Sequence, residues 1–359
     1  MSTTIPKTMK ALKSFGPKDV RVVDDAPVPE CPPGYMLVKV EAIALNPTDW
    51  KHADLLAQPG YHHTLGCDYA GVVLSLGPSI TKSFNPGDRV SGYVHGSKHE
   101  DPSAGCFAQY AKVKADIQIH VPDHITFEEA ATWPTGINTV GQGMYSPDGL
   151  ELPWPDAPSK EATKVLIYGA STNTGVWAVQ FAKLSGLYVI ATCSERNFGA
   201  VRALGADEVF DYRDGVECGR RVREATGDGL GYAFDCVSEG DSMAICAAAL
   251  TSKPNVARYG ALLPVEFPRS DVKTSFTIGY TVIGEEFTFF GNKVPAKPED
   301  FEFGKKWWAL SEKLLAEGKI KGEPTIREGG LNGVVKGFED MKAGRVSRQK
   351  LVYRIGDTS

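Results

Sequence analysis

The sequence predicts an α/β protein in two parts: a β-rich module, and a doubly wound parallel sheet with helices on both faces. Three features predict it. Short apolar segments separated by Gly and Pro fill the chain up to about residue 130. From Lys164 onward, strand-like runs alternate with helix-like stretches. The last strand-like run, Lys350 to Arg354, then returns to the β pattern after a long amphipathic stretch. A length of 359 residues suits two domains of ordinary size.

In the β-rich part, Met36 to Leu45 alternates and is apolar-rich, and Tyr69 to Gly77 reads as a second strand. Pro86-Gly87-Asp88-Arg89-Val90 is a tight turn feeding a third, and Gly105 to Val113 is a fourth. Thr126 is placed as the N-cap of a helix running toward Trp133, with Glu129 as its capping-box acid. Met144 to Lys160, rich in Pro, Asp and Ser, reads as an exposed loop. Further strands are expected at Leu187 to Thr192, Val209 to Tyr212, Tyr232 to Cys236 and Asn255 to Leu262. Helices are expected from Asn197 to Leu204, stopped by Gly205, and from Pro298 to about Gly318. The expected domains are residues 1–130 with 300–359, and residues 131–299.

The most informative segment is Lys164-Val165-Leu166-Ile167-Tyr168-Gly169-Ala170-Ser171-Thr172-Asn173-Thr174-Gly175. An apolar strand turns at small residues into a helix that runs to Leu184, the first βα unit of a dinucleotide-binding domain. Free N–H groups and the helix dipole favour a pyrophosphate there. The spacing is a G-x-x-G-x-x-G variant with Gly169 and Gly175 in the outer places and Thr172 where the middle glycine would be. A Thr narrows the phosphate approach, though its hydroxyl can donate. On its own the loop also fits an ordinary strand-to-helix turn.

A net charge of −5 argues against a nucleic-acid partner, because such a surface repels phosphate backbones. No apolar run approaches the ~20 residues of a membrane span, and Met1 to Lys10 lacks a signal-peptide core. A cytoplasmic protein is expected. The seven cysteines form no C-x-x-C pair, so free thiols are expected in place of a disulfide framework or a four-cysteine zinc lobe.

Four segments in order resemble the medium-chain dehydrogenase/reductase superfamily: Asn46-Pro47-Thr48-Asp49, Gly66-Cys67-Asp68-Tyr69-Ala70-Gly71, Pro86 to Val90, and the loop at 169–175. The resemblance covers essentially the whole chain. It implies a GroES-like β-rich catalytic domain joined to a Rossmann domain. Ser171-Thr172-Asn173-Thr174, Ala191-Thr192-Cys193-Ser194, Glu208 to Arg213 and Trp133 to Thr139 look like the stand-alone, trans-acting enoyl reductases of fungal polyketide pathways.

Zinc-dependent members of that superfamily use Cys, His and Cys or Asp ligands. Here Cys67 stands in the place of His, and Leu45-Asn46-Pro47 offers no Cys, so no catalytic zinc is expected. All seven histidines precede Ile125, and His62-His63 reads as an exposed pair. Without a Lewis acid the easier task is hydride addition to an activated C=C, which requires positioning, a donor to the enolate oxygen and a proton for the α-carbon.

NADPH is the expected cofactor. Ser194 replaces the acid that reads a ribose 2′-OH, and Arg196 can reach a 2′-phosphate, while Glu195 should point away. Arg196 read alone is also a solvated charge at a helix start. The resemblance includes Glu195 and Asn197 with this turn in the cofactor site and implies that Tyr212 stacks near the adenine. It places Thr48, Asp49, Trp50 and Lys51 near the nicotinamide and ribose, Leu262 and Leu263 against the ring, and Ser347 and Lys350 on the cofactor from the last strand. Lys51, with Thr48, is the expected catalytic pair, the ammonium stabilising enolate charge; a ribose or phosphate contact is its alternative role. The implied acyl channel is lined by Trp133, Pro134, Thr135, Gly136, Ile137, Asn138, Thr139 and Val140. Gly279, Tyr280, Thr281, Val282 and Ile283 form its other wall; Val282 and Ile283 read alone are core.

The resemblance implies an NADPH-dependent enoyl reductase acting on an α,β-unsaturated thioester. With no serine-centred carrier motif in the chain, the substrate is expected on the carrier protein of a polyketide synthase. A monomer is expected ahead of a homodimer. Two other readings stand beside this one: a general NADPH-dependent quinone or enone reductase, and a nucleotide-binding protein without turnover.

Overall fold

The structure is a computed structural model that describes residues 5–58 and 60–359. The start of the N-terminal stretch, residues 1–4, lies outside the described residues. Contacts divide the chain into two units: residues up to Thr135 together with Tyr280–Ser359, and Gly136–Gly279. The crossings thus fall at 135 and 279, against the expected 130 and 299. The segment after Gly279 belongs to the first unit because its polar groups are anchored there. The Tyr280 hydroxyl lies 2.8 Å from Thr48 Oγ1, and Glu285 accepts from Tyr35, Lys98 and Lys114.

In the first unit a seven-stranded sheet runs in the order Pro324–Arg327, Lys350–Arg354, Tyr35–Ala44, Asp68–Leu76, Arg89–Tyr93, Gln118–His120, with Tyr110–Lys114 also on Tyr35–Ala44. The strand Tyr35–Ala44 shows why these residues form a half-buried sheet. Val38 and Val40 enter the core, while Lys39 and Glu41 pair at the surface at 2.7 Å. The core beneath it gathers Leu12, Val38, Ile43, Tyr69, Phe107, Val334 and Phe338. A second sheet pairs Thr8–Gly16 with Asp19–Pro27 and His63–Thr64.

Three local expectations are revised here. The fourth strand begins at Tyr110, because Gly105–Gln109 bridges two sheets: Leu12 N–H donates to Phe107 O, and Val40 N–H to Gln109 O. Thr126 Oγ1 does accept from Glu129 N–H at 3.1 Å, but that helix ends at Ala130. Trp133 precedes Pro134, which disfavours a helical residue before it and opens a new helix, Pro134–Val140. Of the histidine pair, His62 is exposed, while His63, which opens the short strand His63–Thr64, is buried.

The second unit holds a six-stranded sheet in the order Glu208–Asp211, Tyr188–Cys193, Lys164–Tyr168, Tyr232–Asp235, Arg258–Ala261, Lys273–Phe276. Every neighbour is parallel. In chain order this is 3-2-1-4-5-6, the doubly wound arrangement, whose switch point lies beside the first strand. Its central strand is flanked on both sides, so Val165, Leu166 and Ile167 are all buried in a continuous apolar run.

The helix Pro298–Ala316 belongs to the first unit and buries Trp307, Ser311, Leu314 and Leu315 at helical spacing. Each of the seven cysteines is a free thiol. Among the described residues, no helix is long and apolar enough to cross a membrane.

Candidate active site

In the second unit, Gly169 adopts φ +75° at the end of the first strand, and the helix Asn173–Leu184 starts four residues on. Thr172 is the N-cap: its Oγ1 accepts from Gly175 N–H at 3.0 Å. The Thr in the middle-glycine place therefore closes the helix start. A Cβ on Gly175 would lie 2.3 Å from Gly169 O, so helix and strand approach too closely for any larger residue. Ser171, Thr172, Asn173 and Thr174 remain partly exposed around the helix's unsatisfied N–H groups. This cradle fits the pyrophosphate of a dinucleotide.

The adjacent strand ends at Cys193, and a 3₁₀ turn, Glu195–Asn197, follows Ser194. Ser194 is half-buried, Glu195 and Arg196 are exposed, and Asn197 is buried. The carboxylate at the next strand end, Asp211, is taken by Arg213 at 2.5 Å, which holds its acid down at about 2. Tyr212 is exposed and sets its ring edge toward Tyr168. Leu262 and Leu263 are half-buried just past the fifth strand, and Leu262 N–H donates to Ser238 Oγ at 2.8 Å.

In the first unit, Asn46 precedes the short helix Pro47–Lys51, and Asp49 Oδ2 accepts from Asn46 N–H at 2.7 Å. The other Asp49 oxygen is buried with no hydrogen-bond partner among the described residues. Burial, then the nearby Asp68 charge, push the Asp49 acid up to about 7. Burial likewise raises the Cys67 thiol, with Asp49 adding to it.

Asp68 is fully buried. It accepts from Thr135 N–H at 2.8 Å, Thr135 Oγ1 at 2.5 Å, Asn46 Nδ2 at 2.8 Å and Lys350 Nζ at 2.7 Å. Lys350 Nζ also donates to Asn46 Oδ1 at 2.5 Å. Lys350, expected on the cofactor, is placed here against Asp68 and Asn46. Its ammonium is buried at 4% exposure, because an inward carboxylate needs a counter-charge. Ser347, three residues earlier, is exposed.

Tyr280 is the hub of a buried polar and aromatic cluster. Its hydroxyl lies 2.8 Å from Thr48 Oγ1, 3.3 Å from His52 Nε2 and 3.7 Å from Cys67 Sγ, and its ring stacks on His95 at 3.8 Å. The direction of the proton chain follows from one acceptor. His52 Nδ1 faces the Gly96 carbonyl at 3.2 Å, which only accepts, so Nδ1 carries the ring proton. Burial holds His52 down at about 4, so the ring is neutral and Nε2 is an acceptor. Tyr280 therefore donates to His52 and receives from Thr48. Thr48 is half-buried, and its proton is given to Tyr280. In this state its hydroxyl can accept a further hydrogen bond but has no second proton to donate.

Trp50 packs against the core of the first unit, with the Lys51 and Lys342 ammonium groups each 5.7 Å from its ring. Of the expected channel residues, Trp133, Pro134, Gly136, Ile137, Asn138 and Val140 are buried, and Thr135 and Thr139 are half-buried. Asn138 Nδ2 donates to Gly279 O at 3.0 Å within the second unit. Thr281, Val282 and Ile283 are buried beside Tyr280 in the first. Sequence reasoning missed His52 and His95, which stand 43 positions apart and meet at the Tyr280 ring.

The donor set does not fit a catalytic zinc. Among the described residues, no three His, Cys, Asp or Glu side chains are grouped to hold a metal. Asn46 and a thiol raised by burial stand where ligands would be needed.

Residues 32–123 match the alcohol dehydrogenase GroES-like domain family, and residues 174–302 the zinc-binding dehydrogenase family. A trans-enoyl reductase of Alternaria alternata is 48% identical over 93% of this chain and 95% of its own length. One of Aspergillus sclerotiorum is 43% identical over 97% of this chain and 100% of its own. A mycobacterial protein solved in complex with NADPH superposes with a TM-score of 0.74 over 96% of this chain and 99% of its own, at 22% identity. The two-domain fold is therefore that of the medium-chain dehydrogenases and reductases, and the chain, an oxidoreductase, belongs to their trans-enoyl reductase family.

Proposed function

We propose that this chain uses NADPH to saturate the α,β double bond of a polyketide acyl thioester presented by the carrier domain of a separate synthase, and that it does so as a cytoplasmic monomer. One observation carries the reading. A chain of the trans-enoyl reductase family pairs a helix-N-terminal dinucleotide cradle with a catalytic unit where an internal Lys350 ammonium lies at Asn46 and Asp68, beside a raised Cys67 thiol.

Bound at the 169–175 loop, the nicotinamide cofactor supplies hydride to the β-carbon. Ser171 to Thr174 hold the pyrophosphate, and Ser194 with Arg196 read the 2′-phosphate, where an acid would repel it. Tyr212 covers the adenine, Leu262 and Leu263 pack on the nicotinamide, and Ser347 contacts the cofactor. Thr48 accepts a hydrogen bond from the ligand, its own proton being held by Tyr280. Lys51, at the C-terminal end of its short helix, stabilises charge on the thioester oxygen. Thr135 and Thr139, with Gly279 to Ile283, border the acyl chain. Free thiols suit the reducing cytoplasm.

The test is NADPH oxidation with crotonyl and 2-methyl-enoyl pantetheine thioesters, the same acyl groups on a carrier protein, and a simple quinone. Carrier-bound thioester should give the highest kcat/KM, since tethering raises the effective concentration of the acyl group. A quinone turned over better than every thioester replaces this reading with a general reductase.

A further inference from the structure

The hairpin Phe287–Phe289 and Asn292–Val294 turns on two residues, Phe290 and Gly291. Their φ angles are +49° and +75°, so both central residues are left-handed, as in a type I′ turn. Glycine takes such a φ freely and Asn or Asp tolerates it, whereas a bulky aromatic is strained there. Phe290 is also 60% exposed. One residue thus carries a backbone penalty and a solvent-exposed ring. Its ring meets that of the neighbouring Phe289, edge-on at 4.8 Å.

The contact leads inward. Phe289 lies 6.1 Å from the Tyr280 ring and 6.1 Å from His52. Phe287, on the same face of the hairpin, is buried against His95 at 4.9 Å. An apolar row thus runs from an exposed tip to the polar hub at Tyr280 and Thr48. That polarity suits a linear ligand with an apolar tail and a polar head. Strain retained at an exposed residue points to a function for it.

We propose that Phe290 is a chain-length determinant: its ring receives the distal carbons of an acyl chain whose thioester end lies at the Thr48 and Tyr280 end of the row. This rests on the enoyl thioester reading above. A four-carbon acyl group stops short of Phe290, which lies two ring contacts from Tyr280, and a medium-length chain reaches it.

The experiment compares wild type, Phe290→Asn and Phe290→Leu in thermal melting, and in kcat/KM for 2-decenoyl against crotonyl pantetheine thioester with NADPH. Asn suits the turn and removes the apolar ring, so the melting temperature should rise by about 2 °C or more. The decenoyl-to-crotonyl ratio should fall about fivefold or more, the effect of losing one apolar contact surface. Leu keeps the apolar group and the strain, so its ratio should stay closer to wild type with no gain in melting temperature. A Phe290→Asn variant that melts at or below wild type overturns the strain argument. An unchanged ratio in that variant overturns the acyl contact. A wild type that reduces neither thioester defeats the functional reading itself, and this proposal with it.

Discussion

Replacing Lys350 with Met should unfold the first unit far more readily than a surface lysine substitution would. Lys350 Nζ and the Asp68 carboxylate, 4% and 0% exposed, are 2.7 Å apart. Met keeps most of the side-chain volume and removes the charge. Asp68 would retain its three neutral donors, from Thr135 and Asn46, but no counter-charge, and Asn46 Oδ1 would lose its donor. Breaking a buried pair on one side costs about 3–5 kcal/mol, and the surviving donors favour the lower end. A unit of roughly 200 residues shifts by about 2–4 °C per kcal/mol, so the melting temperature should drop by about 6–12 °C. Far-UV circular dichroism in heat and urea measures this. The companion variant Asp68→Asn, alone and combined with Lys350→Met, isolates the pair. The combination should be more stable than the sum of the two single losses by about 1 kcal/mol or more, since it strands no charge. A Lys350→Met protein within about 1 kcal/mol of wild type, or singles that simply add, would refute the idea that this ammonium is needed to hold Asp68 inside.

Asp49→Asn should change the pH dependence of stability in a defined direction. The folded-state acid, at about 7, is raised above its ordinary value, so the wild type loses stability as pH climbs from ~4 to ~7, by up to about 4 kcal/mol in total. His52, depressed to about 4, acts oppositely between ~4 and ~6.5 and is present in both proteins. The difference between variant and wild type therefore isolates Asp49: it should favour the variant increasingly from pH 5 to pH 8, and a flat difference contradicts the raised acid. Tyr280→Phe should destabilise by about 1–2 kcal/mol in urea, because His52 Nε2 is left buried without a donor; a loss below ~0.5 kcal/mol would show that the hydroxyl is no hub. Arg196→Ala should erode a preference for NADPH over NADH of about tenfold, equal to ~1.4 kcal/mol, and unchanged NADPH affinity would remove Arg196 from the 2′-phosphate site.

Local pattern made much of this molecule legible. The run Val165 to Ile167 announces a strand flanked on both sides, and Gly169 to Gly175 a turn that only small residues permit. Pro298 and Gly318 bracket a helix whose apolar face repeats with helical period. Other elements lacked such signals. The helix Ser242–Ala249 is built of small, mostly apolar residues with no polar face to give a period. The strand Lys273–Phe276, largely exposed at the sheet edge, has little alternation to read. Segment 280–299 looks like a continuation of the alternating pattern, and its membership of the first unit depends on hydroxyl and carboxylate partners more than 170 residues away in sequence.

By itself, the sequence determined the order of the two domains, the phosphate loop and the loss of the zinc ligand pattern, because each is written in residues adjacent along the chain. Tertiary structure alone decided what fills the place of those ligands. Lys350 reaches Asp68 across 282 positions, and Tyr280 meets Thr48 and His52 across 232 and 228. Burial then sets the chemistry of these groups. A charge removed from water must find its opposite, and a buried hydroxyl must find an acceptor, wherever in the chain the partner lies.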